Sequence, residues 1–174
     1  MRLPDRKRVE ALCGPTTIYH VISEIFPWAA FLLTVIVLAA LWRRIPEQVP
    51  MHTDFTGSVT EWGGKNNLIW LCAVYFGINL LLWIIGFFPE AWNNGLRLQV
   101  LRRRVRIGGG AVNYRLTRDL LCDLRISISL LFSALLLMTA FYRPAFARHM
   151  LSWGIWVLLG VPLVRYLLRL VLRR

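Results

Sequence analysis

Four long apolar stretches dominate this sequence and restrict what it can fold into. Residues 25–42, 68–88 and 126–142 contain no charged side chain, and residues 150–164 continue past Arg165 into a further apolar turn. A helix that crosses a bilayer needs about 20 mostly apolar residues. A soluble fold of 174 residues could not bury four helices that are apolar on every face. The sequence therefore predicts an all-α fold, a single membrane domain over residues 1–174 with four transmembrane helices at about 25–42, 68–88, 126–142 and 149–168.

Aromatic residues near the ends of these stretches support the assignment. Tryptophan and tyrosine favour the membrane interface because one part of the ring system is apolar and another forms hydrogen bonds. Such residues are Trp28, Trp42, Trp70, Trp92, Tyr142, Trp153, Trp156 and Tyr166. We expect the first stretch to be a span rather than a cleaved signal peptide, because a long polar-mixed segment precedes it and Leu41-Trp42-Arg43-Arg44 is a poor cleavage site.

The distribution of positive charge predicts how the helices are oriented. The chain has 21 Lys and Arg against 9 Asp and Glu, although 57% of its residues are hydrophobic. With four spans, 16 of the basic residues fall on the side of the two termini and the second loop, and 5 on the other side. Positive charge stays on the cytoplasmic side. We therefore expect a multi-pass protein of a bacterial-type inner membrane, with both termini in the cytoplasm and the loop at 43–67 outside.

The predicted external loop contains most of the candidate site residues. Prolines and glycines at several positions favour one fixed shape over a flexible tether. His52 and Asp54 are two apart and would point the same way in an extended segment, near Glu47 and Glu61, so a metal site is one alternative. The other is that His52 has a structural or recognition role. Lys65 is placed to bury its stem at the membrane interface.

The same loop resembles a domain of unknown function found in SdpI-type membrane proteins, which are immunity proteins against a sporulation-delaying toxin. The signature of that family combines a proline-acidic pair, an apolar-Pro-x-His step, a glycine and an aromatic-Gly-x-Lys close between the first two spans. The matching residues here are Pro46, Glu47, Val49, Pro50, His52, Phe55, Gly57, Trp62, Gly63 and Lys65. The resemblance implies recognition at the outer face through these residues and Asp54.

The predicted cytoplasmic loop at 89–125 is strongly basic. Arg102, Arg103, Arg104 and Arg106 have no accompanying nucleic-acid reading motif, so contact with anionic inner-leaflet lipids is the simpler interpretation. Arg165 and Arg169 recur on one face of the last helix and are expected to anchor it in the same headgroups. A run of glycines at 108–110 should separate a short extended piece from a short helix that begins near Asn113. On that helix Arg115 and Asp119 are spaced to pair.

The spans themselves carry few polar groups. Asn79 is the one amide in the second span, and we expect it to face other helices and form an interhelical hydrogen bond. The three cysteines are far apart and indicate neither a disulfide framework nor a zinc site. No catalytic triad or carboxylate pair lies at membrane depth, so we expect no cofactor, no nucleic-acid partner and no enzymatic activity.

Three hypotheses about function follow from these patterns. The first is a non-enzymatic protein that recognises, senses or protects against an extracytoplasmic membrane-active peptide. The second is a small transporter or transporter subunit in which Asn79 and a kink at Gly160 and Pro162 line a cavity. The third is a metal-assisted membrane enzyme that uses His52, Asp54 and Glu61.

Overall fold

Four helices and two β-hairpins make up the computed structural model, which describes residues 10–11, 13–54, 58–88, 96–100, 103–107, 111–142 and 153–172. The helices are α1 (Ile18–Ala40), α2 (Asn67–Gly86), α3 (Ala111–Ala140) and α4 (Ile155–Leu172). One hairpin, β1 (Gln48–Thr53) with β2 (Val59–Gly64), connects α1 to α2 after a 3₁₀ turn at Trp42–Arg44. The other, β3 (Leu96–Val100) with β4 (Arg103–Ile107), precedes α3.

Three of the helices are suited to a bilayer. Ile18–Ala40, Asn67–Gly86 and Tyr114–Ala140 are each long and apolar enough to cross a membrane. Many of their large apolar side chains point away from the protein, for example Leu33 at 64% and Ile69 at 60% exposed. Such surfaces are unfavourable in water and favourable in lipid. The prediction that this is a membrane protein of mostly helical fold is confirmed.

The observed helices differ from the predicted spans at their ends. The clearest difference is α3, whose 30 residues join the predicted short helix near Asn113 to the third span without a break. The sequence offers no reason to stop, because no proline or glycine lies between Asn113 and Ala140. The helix α1 begins seven residues before the predicted first span and ends two residues before its end, and α2 differs from the second span by one and two residues. The helix α4 ends four residues beyond the predicted fourth span, whose first residues lie outside the described ranges.

The helix α3 is the centre of the bundle, since α1, α2 and α4 all pack against it. Its contacts give the helix directions. His20 meets Asp119 and Thr34 meets Ser133, so α1 and α3 are parallel. Arg165 meets Asp123 and Arg169 meets Asp119, so α4 is antiparallel to α3.

A buried apolar cluster joins the first hairpin to the helices. Its members come from α1, the segment after it, β1, α2 and α3: Leu38, Ile45, Val49, Leu68, Tyr75, Leu136 and Ala140. Ile45 and Val49 are nearly inaccessible, at 3% and 1% exposed. Because two residues of the connecting segment are part of this core, the hairpin is held against one end of the bundle. We call this the hairpin end.

The second hairpin occupies a segment that we predicted only as a short extended piece. Its strands pair antiparallel from Leu96 opposite Ile107 to Val100 opposite Arg103. Of the predicted lipid-contacting arginines, Arg103, Arg104 and Arg106 belong to β4, and Arg102 lies outside the described residues. The second strand confirms the extended piece. The alternation of apolar and polar residues over 96–100 and 104–107 is itself a strand pattern, which the prediction of one extended piece did not use, so the pairing was not anticipated.

Candidate functional site

The hairpin between β1 and β2 carries most of the predicted site residues. The strands pair from Gln48 opposite Gly64 to Thr53 opposite Val59, with irregular register on both sides of His52. Bulges of this kind twist a strand and turn side chains in new directions. The turn is closed by two bonds between Asp54 and Ser58: the Ser58 N–H donates to Asp54 Oδ1 at 2.8 Å, and the Asp54 N–H donates to the Ser58 carbonyl at 2.9 Å.

The base of the hairpin is fixed by Lys65. Its Nζ is 2.6 Å from Oε1 of Glu47, and its backbone N–H donates to the Glu47 carbonyl at 2.9 Å. The same ammonium group lies 5.6 Å from the centre of the Trp42 ring, within the range of a cation–π contact. The predicted interfacial role of Lys65 is therefore accompanied by a specific one, which is to join the two ends of the loop.

The proposed metal constellation is not assembled. His52 Nε2 is 3.4 Å from Glu61 Oε2, and both side chains are largely exposed, at 72% and 65%. Asp54 instead accepts the Ser58 N–H within the turn. Within the described ranges there is no group of three or more His, Cys, Asp or Glu side chains that could hold a metal ion.

The hairpin packs along one side against the end of α3. The ring centres of Trp62 and Tyr142 are 6.1 Å apart in an edge-to-face arrangement. Val49 and Pro50 are buried, whereas Met51 and Trp62 stay substantially exposed. In the aromatic-Gly-x-Lys part of the motif, position 63 has no room for a side chain. A Cβ at Gly63 would lie 2.8 Å from the Asn67 side chain and closer still to Met51.

Two clefts lie beside the hairpin. One, of about 510 Å³, is between the hairpin and residues 139–142, with Arg44, Val49 and Trp62 in its walls. The other, of about 370 Å³, is between Met51 and the helices α2 and α3, with mostly apolar walls that include Trp70 and Leu135. Both volumes fall in the range of about 300–1,000 Å³ that is typical of ligand pockets. Of the predicted motif, Gly57 and Phe55 lie outside the described residues.

The opposite end of the bundle, which we call the arginine end, holds charged groups that the sequence analysis had not brought together. Arg165 Nη1 is 3.0 Å from both carboxylate oxygens of Asp123, which also accepts a very short hydrogen bond from the Tyr19 hydroxyl. Arg169 Nη1 is 3.0 Å from Asp119 Oδ2. Both arginines are therefore paired with carboxylates of α3, which the sequence analysis did not predict, while their side chains stay partly exposed, at 44% and 36%. The expectation that they also contact lipid headgroups stays a prediction.

His20 extends this arrangement to α1. The backbone N–H of Thr17 donates to His20 Nδ1 at 3.1 Å, so that nitrogen is the acceptor. The ring proton is then on Nε2, which donates to Asp119 Oδ1 at 3.2 Å. Asp119 thus joins α1 to α4 through α3, in place of the predicted pair with Arg115.

The segment before α1 is tied to α3 at the same end. Arg118 Nη1 donates to the Gly14 carbonyl at 3.1 Å, and Nη2 donates to Thr16 Oγ1 at 3.1 Å. Gly14 has φ of +84°, and a Cβ there would lie 2.6 Å from Arg115 Nε. Glycine allows both the backbone conformation and the close approach.

Between the two ends, hydroxyl groups connect three helices. The fully buried Tyr75 hydroxyl donates to the Ser129 carbonyl at 2.9 Å and lies 3.0 Å from Ser133 Oγ. Ser133 Oγ accepts from Thr34 Oγ1 at 3.0 Å, and Ser129 Oγ donates to the Pro27 carbonyl at 3.2 Å. These bonds satisfy polar groups that have no access to water.

Asn79 lies one helical turn from Tyr75 on the same face of α2. It is 2% exposed, so the expectation that it faces the other helices is confirmed. Among the described residues neither Nδ2 nor Oδ1 has a hydrogen-bond partner, so the predicted interhelical hydrogen bond is not formed there. Pro162 lines a groove between α3 and α4, and Asn79 is not among the residues of that groove.

Comparison with known proteins gives one match. Residues 29–77 match a family described as a domain of unknown function, DUF1648. The match covers less than a third of the 174 residues, from the middle of α1 through the hairpin to the middle of α2. Searches of curated proteins and of solved structures find no match. The matched segment includes every residue of the predicted loop motif, and it excludes most of the arginine end.

The two regions differ in how well they could be predicted. The loop residues were found because they are close together in the sequence and include proline, glycine and histidine. His20, Asp119 and Asp123 were missed because they meet across about 100 residues of chain. The available signal was weak: two aspartates four apart at the start of α3, and two arginines four apart on α4.

Proposed function

We propose that this chain is a four-span, SdpI-like inner-membrane protein that recognises a membrane-active peptide at its outer face, without enzymatic activity. The hairpin end is then extracytoplasmic and the arginine end cytoplasmic. Two features support this orientation. The alternating helix directions place the start of α1 and the end of α4 at the same end, and most of the basic residues belong to that side of the sequence.

The feature that carries the proposal is the fixed hairpin with clefts on two sides. A two-stranded sheet has one edge per strand without a strand partner, and such edges pair readily with an extended peptide. The 370 Å³ cleft has apolar walls and lies against α2 and α3, so an apolar peptide side chain could reach it from the lipid. Met51 and Trp62 offer exposed apolar area beside these clefts.

The orientation can be tested on whole cells. In a Ser58→Cys variant, the new thiol lies at the turn of the hairpin, whereas Cys13 and Cys122 are buried and the half-buried Cys72 lies within the apolar helix α2. A thiol reagent that does not cross membranes should label this variant in intact cells. Labelling only after the cells are broken would place the hairpin in the cytoplasm and contradict the proposal.

Recognition can be tested by survival and by binding. Expression of the chain in a sensitive strain should raise the dose of at least one membrane-active peptide, from a panel, that the strain survives. Met51→Glu places a charge in the apolar cleft and should abolish the gain, while Thr60→Glu, on the neighbouring strand but outside both clefts, should preserve it. No gain with any peptide, or equal loss in both variants, would contradict recognition through the cleft.

Neither rival hypothesis has comparable support. The transporter hypothesis required Asn79 and Pro162 to line one cavity, and the groove that Pro162 lines among the described residues does not include Asn79. The enzyme hypothesis required His52, Asp54 and Glu61 to converge, and Asp54 is held by Ser58 instead. Peptide recognition uses what the hairpin presents, which is exposed apolar area on a rigid frame.

A further inference from the structure

A small cavity at the arginine end is not used by the proposed peptide recognition. It lies between α1, α2 and α3 and has a volume of about 40 Å³. Each of the three helices contributes residues three or four positions apart, which lie on one helical face. They are His20 and Glu24 from α1, Trp83 and Gly86 from α2, and Arg118, Leu121, Cys122 and Arg125 from α3, with Phe87 just after α2. At about 10–15 Å³ for each water-sized group, the space holds about three such groups.

Arg125 is the unusual member of this lining. Its side chain is 95% buried, at 5% exposure, and its Nη2 has no hydrogen-bond partner in the described part of the chain. An unsatisfied guanidinium nitrogen in an apolar bundle is costly, because the charge has lost its hydration. Arg125 lines the cavity, so a group in the cavity can supply the missing acceptor.

The other charges around the cavity leave it positive. Arg118 and Arg125 carry positive charge, and Glu24 carries one negative charge. The Nδ1 of His20 accepts from Thr17 and its Nε2 donates to Asp119, so the ring is neutral. Cys13 also lines the cavity, and burial raises the pKa of its thiol, so it adds no negative charge. The net charge of the lining favours an anion.

The position of the cavity indicates the source of that anion. Arg118 and Arg125 are seven residues apart on α3, which places Arg125 about 10 Å deeper in the bundle. Arg118 is level with the start of α1, and the half-exposed Trp83 stands at the rim. Basic pockets between helices at this depth suit lipid headgroups, and the guanidinium fork suits phosphate oxygens.

We propose that this cavity binds the phosphate of an anionic lipid headgroup, with Arg125 as the principal donor and Arg118 at the entrance. The site is distinct from diffuse attraction of lipids to the basic loop, because it depends on one buried side chain and on an open space between three helices. It is also independent of the hairpin, which lies at the other end of the bundle.

The first test compares lipids on the purified full chain in detergent. Phosphatidylglycerol should raise the midpoint of thermal unfolding more than phosphatidylcholine does, and native mass spectrometry should show it retained. Arg125→Gln should weaken the phosphatidylglycerol affinity about tenfold or more, the effect of losing a charge-assisted hydrogen bond. Arg43→Gln removes the same charge from an exposed site at the hairpin end and should leave the affinity unchanged.

A second variant tests the cavity without altering any charge. A Cβ at Gly86 would be 3.6 Å from Leu121 Cδ2, an ordinary contact, so Gly86→Val should fold and partly fill the space. It should reduce phosphatidylglycerol binding, whereas Gly77→Val, where a Cβ meets nothing within 4 Å, should not. This pair also decides the matter if Arg125→Gln does not fold.

Three results would overturn the proposal. Equal binding of phosphatidylglycerol and phosphatidylcholine would show that the negative charge of the headgroup does not contribute to the affinity. Equal losses in Arg125→Gln and Arg43→Gln would show attraction to overall charge only. Stabilisation by inorganic phosphate that matches the lipid's and depends on Arg125 would identify a free anion as the ligand. None of these results would bear on peptide recognition at the hairpin.

Discussion

The two ends of the bundle are organised in opposite ways. The hairpin end takes its shape from one continuous segment, in which backbone pairing and the Glu47–Lys65 contact fix a loop between α1 and α2. The arginine end takes its shape from side chains on three helices, through Asp119 and Asp123. Local pairing sets the shape of the hairpin, and the core residues Ile45 and Val49 hold it against the bundle. A charged cluster at a bundle end instead depends on, and strengthens, the packing of the helices.

Asp123→Ala should have the largest effect and tests this comparison directly. Asp123 is 14% exposed and accepts hydrogen bonds from Tyr19 and Arg165, so its loss removes the acceptor that the two donors share and leaves the Tyr19 hydroxyl only the longer bond to the Asp119 carbonyl, at 3.4 Å. We expect the free energy of unfolding in detergent to fall by about 2 kcal/mol, below the value for a fully buried pair because Arg165 can reach water. Glu47→Gln, which breaks the hairpin ion pair, should cost less than about 1 kcal/mol because Glu47 is 82% exposed.

Similar losses in these two variants would show that the ends are equally important to bundle stability. Hydrogen exchange adds a second distinction. Glu47→Gln should speed exchange only in β1 and β2, whereas Asp123→Ala should speed exchange at the starts of α1 and α3 and along α4.

Tyr75→Phe should have an intermediate effect and tests the layer between the ends. The hydroxyl bonds to Ser129 and Ser133, and interhelical hydrogen bonds of this kind are worth about 0.6–1.7 kcal/mol in membranes. A double-mutant cycle with Ser133→Ala should show non-additive losses, because the two groups contact each other. Additive losses would mean that the contribution of the Tyr75 hydroxyl to the free energy of unfolding does not depend on Ser133.

His52→Ala should have the smallest effect on the free energy of unfolding, a loss below about 0.5 kcal/mol, because the side chains of both His52 and Glu61 are largely exposed. The variant also sharpens the assignment of the hairpin. Addition of zinc to the unaltered protein should leave the midpoint of thermal unfolding unchanged. A rise that His52→Ala removes would establish a metal site and favour the enzyme hypothesis over recognition.

The sequence was sufficient for those features that depend on a continuous stretch of chain. Apolar runs longer than a bilayer is thick predicted α1, α2 and most of α3. Proline and glycine predicted that the loop between α1 and α2 has a fixed shape, although not that it forms a hairpin. The strand signal there is short, and Pro50 within β1 argued against a strand.

Features that depend on contacts between distant residues could not be predicted. From the sequence alone, Arg118 and Arg125 are indistinguishable from the other arginines of the basic loop. Their side chains are buried because α1 and α2 cover α3, and the residues next to them in the sequence do not reveal this. The pairing of Arg165 and Arg169 with Asp123 and Asp119 could not be predicted for the same reason. Asn79 was correctly placed inside the bundle, but which atoms surround it depends on the packing of the other helices.

The hydroxyl bonds between α1 and α3 have a consequence for how the protein is made. The bond from Thr34 to Ser133 spans 99 residues, so ribosomes complete and insert α1 and α2 well before α3 exists. During that interval the Thr34 hydroxyl can donate to the Ala30 carbonyl of its own helix, at 2.8 Å, whereas the Tyr75 hydroxyl lacks its partners Ser129 and Ser133. The first half of the bundle is therefore complete only when α3 supplies the acceptor that lets the Tyr75 hydroxyl be buried.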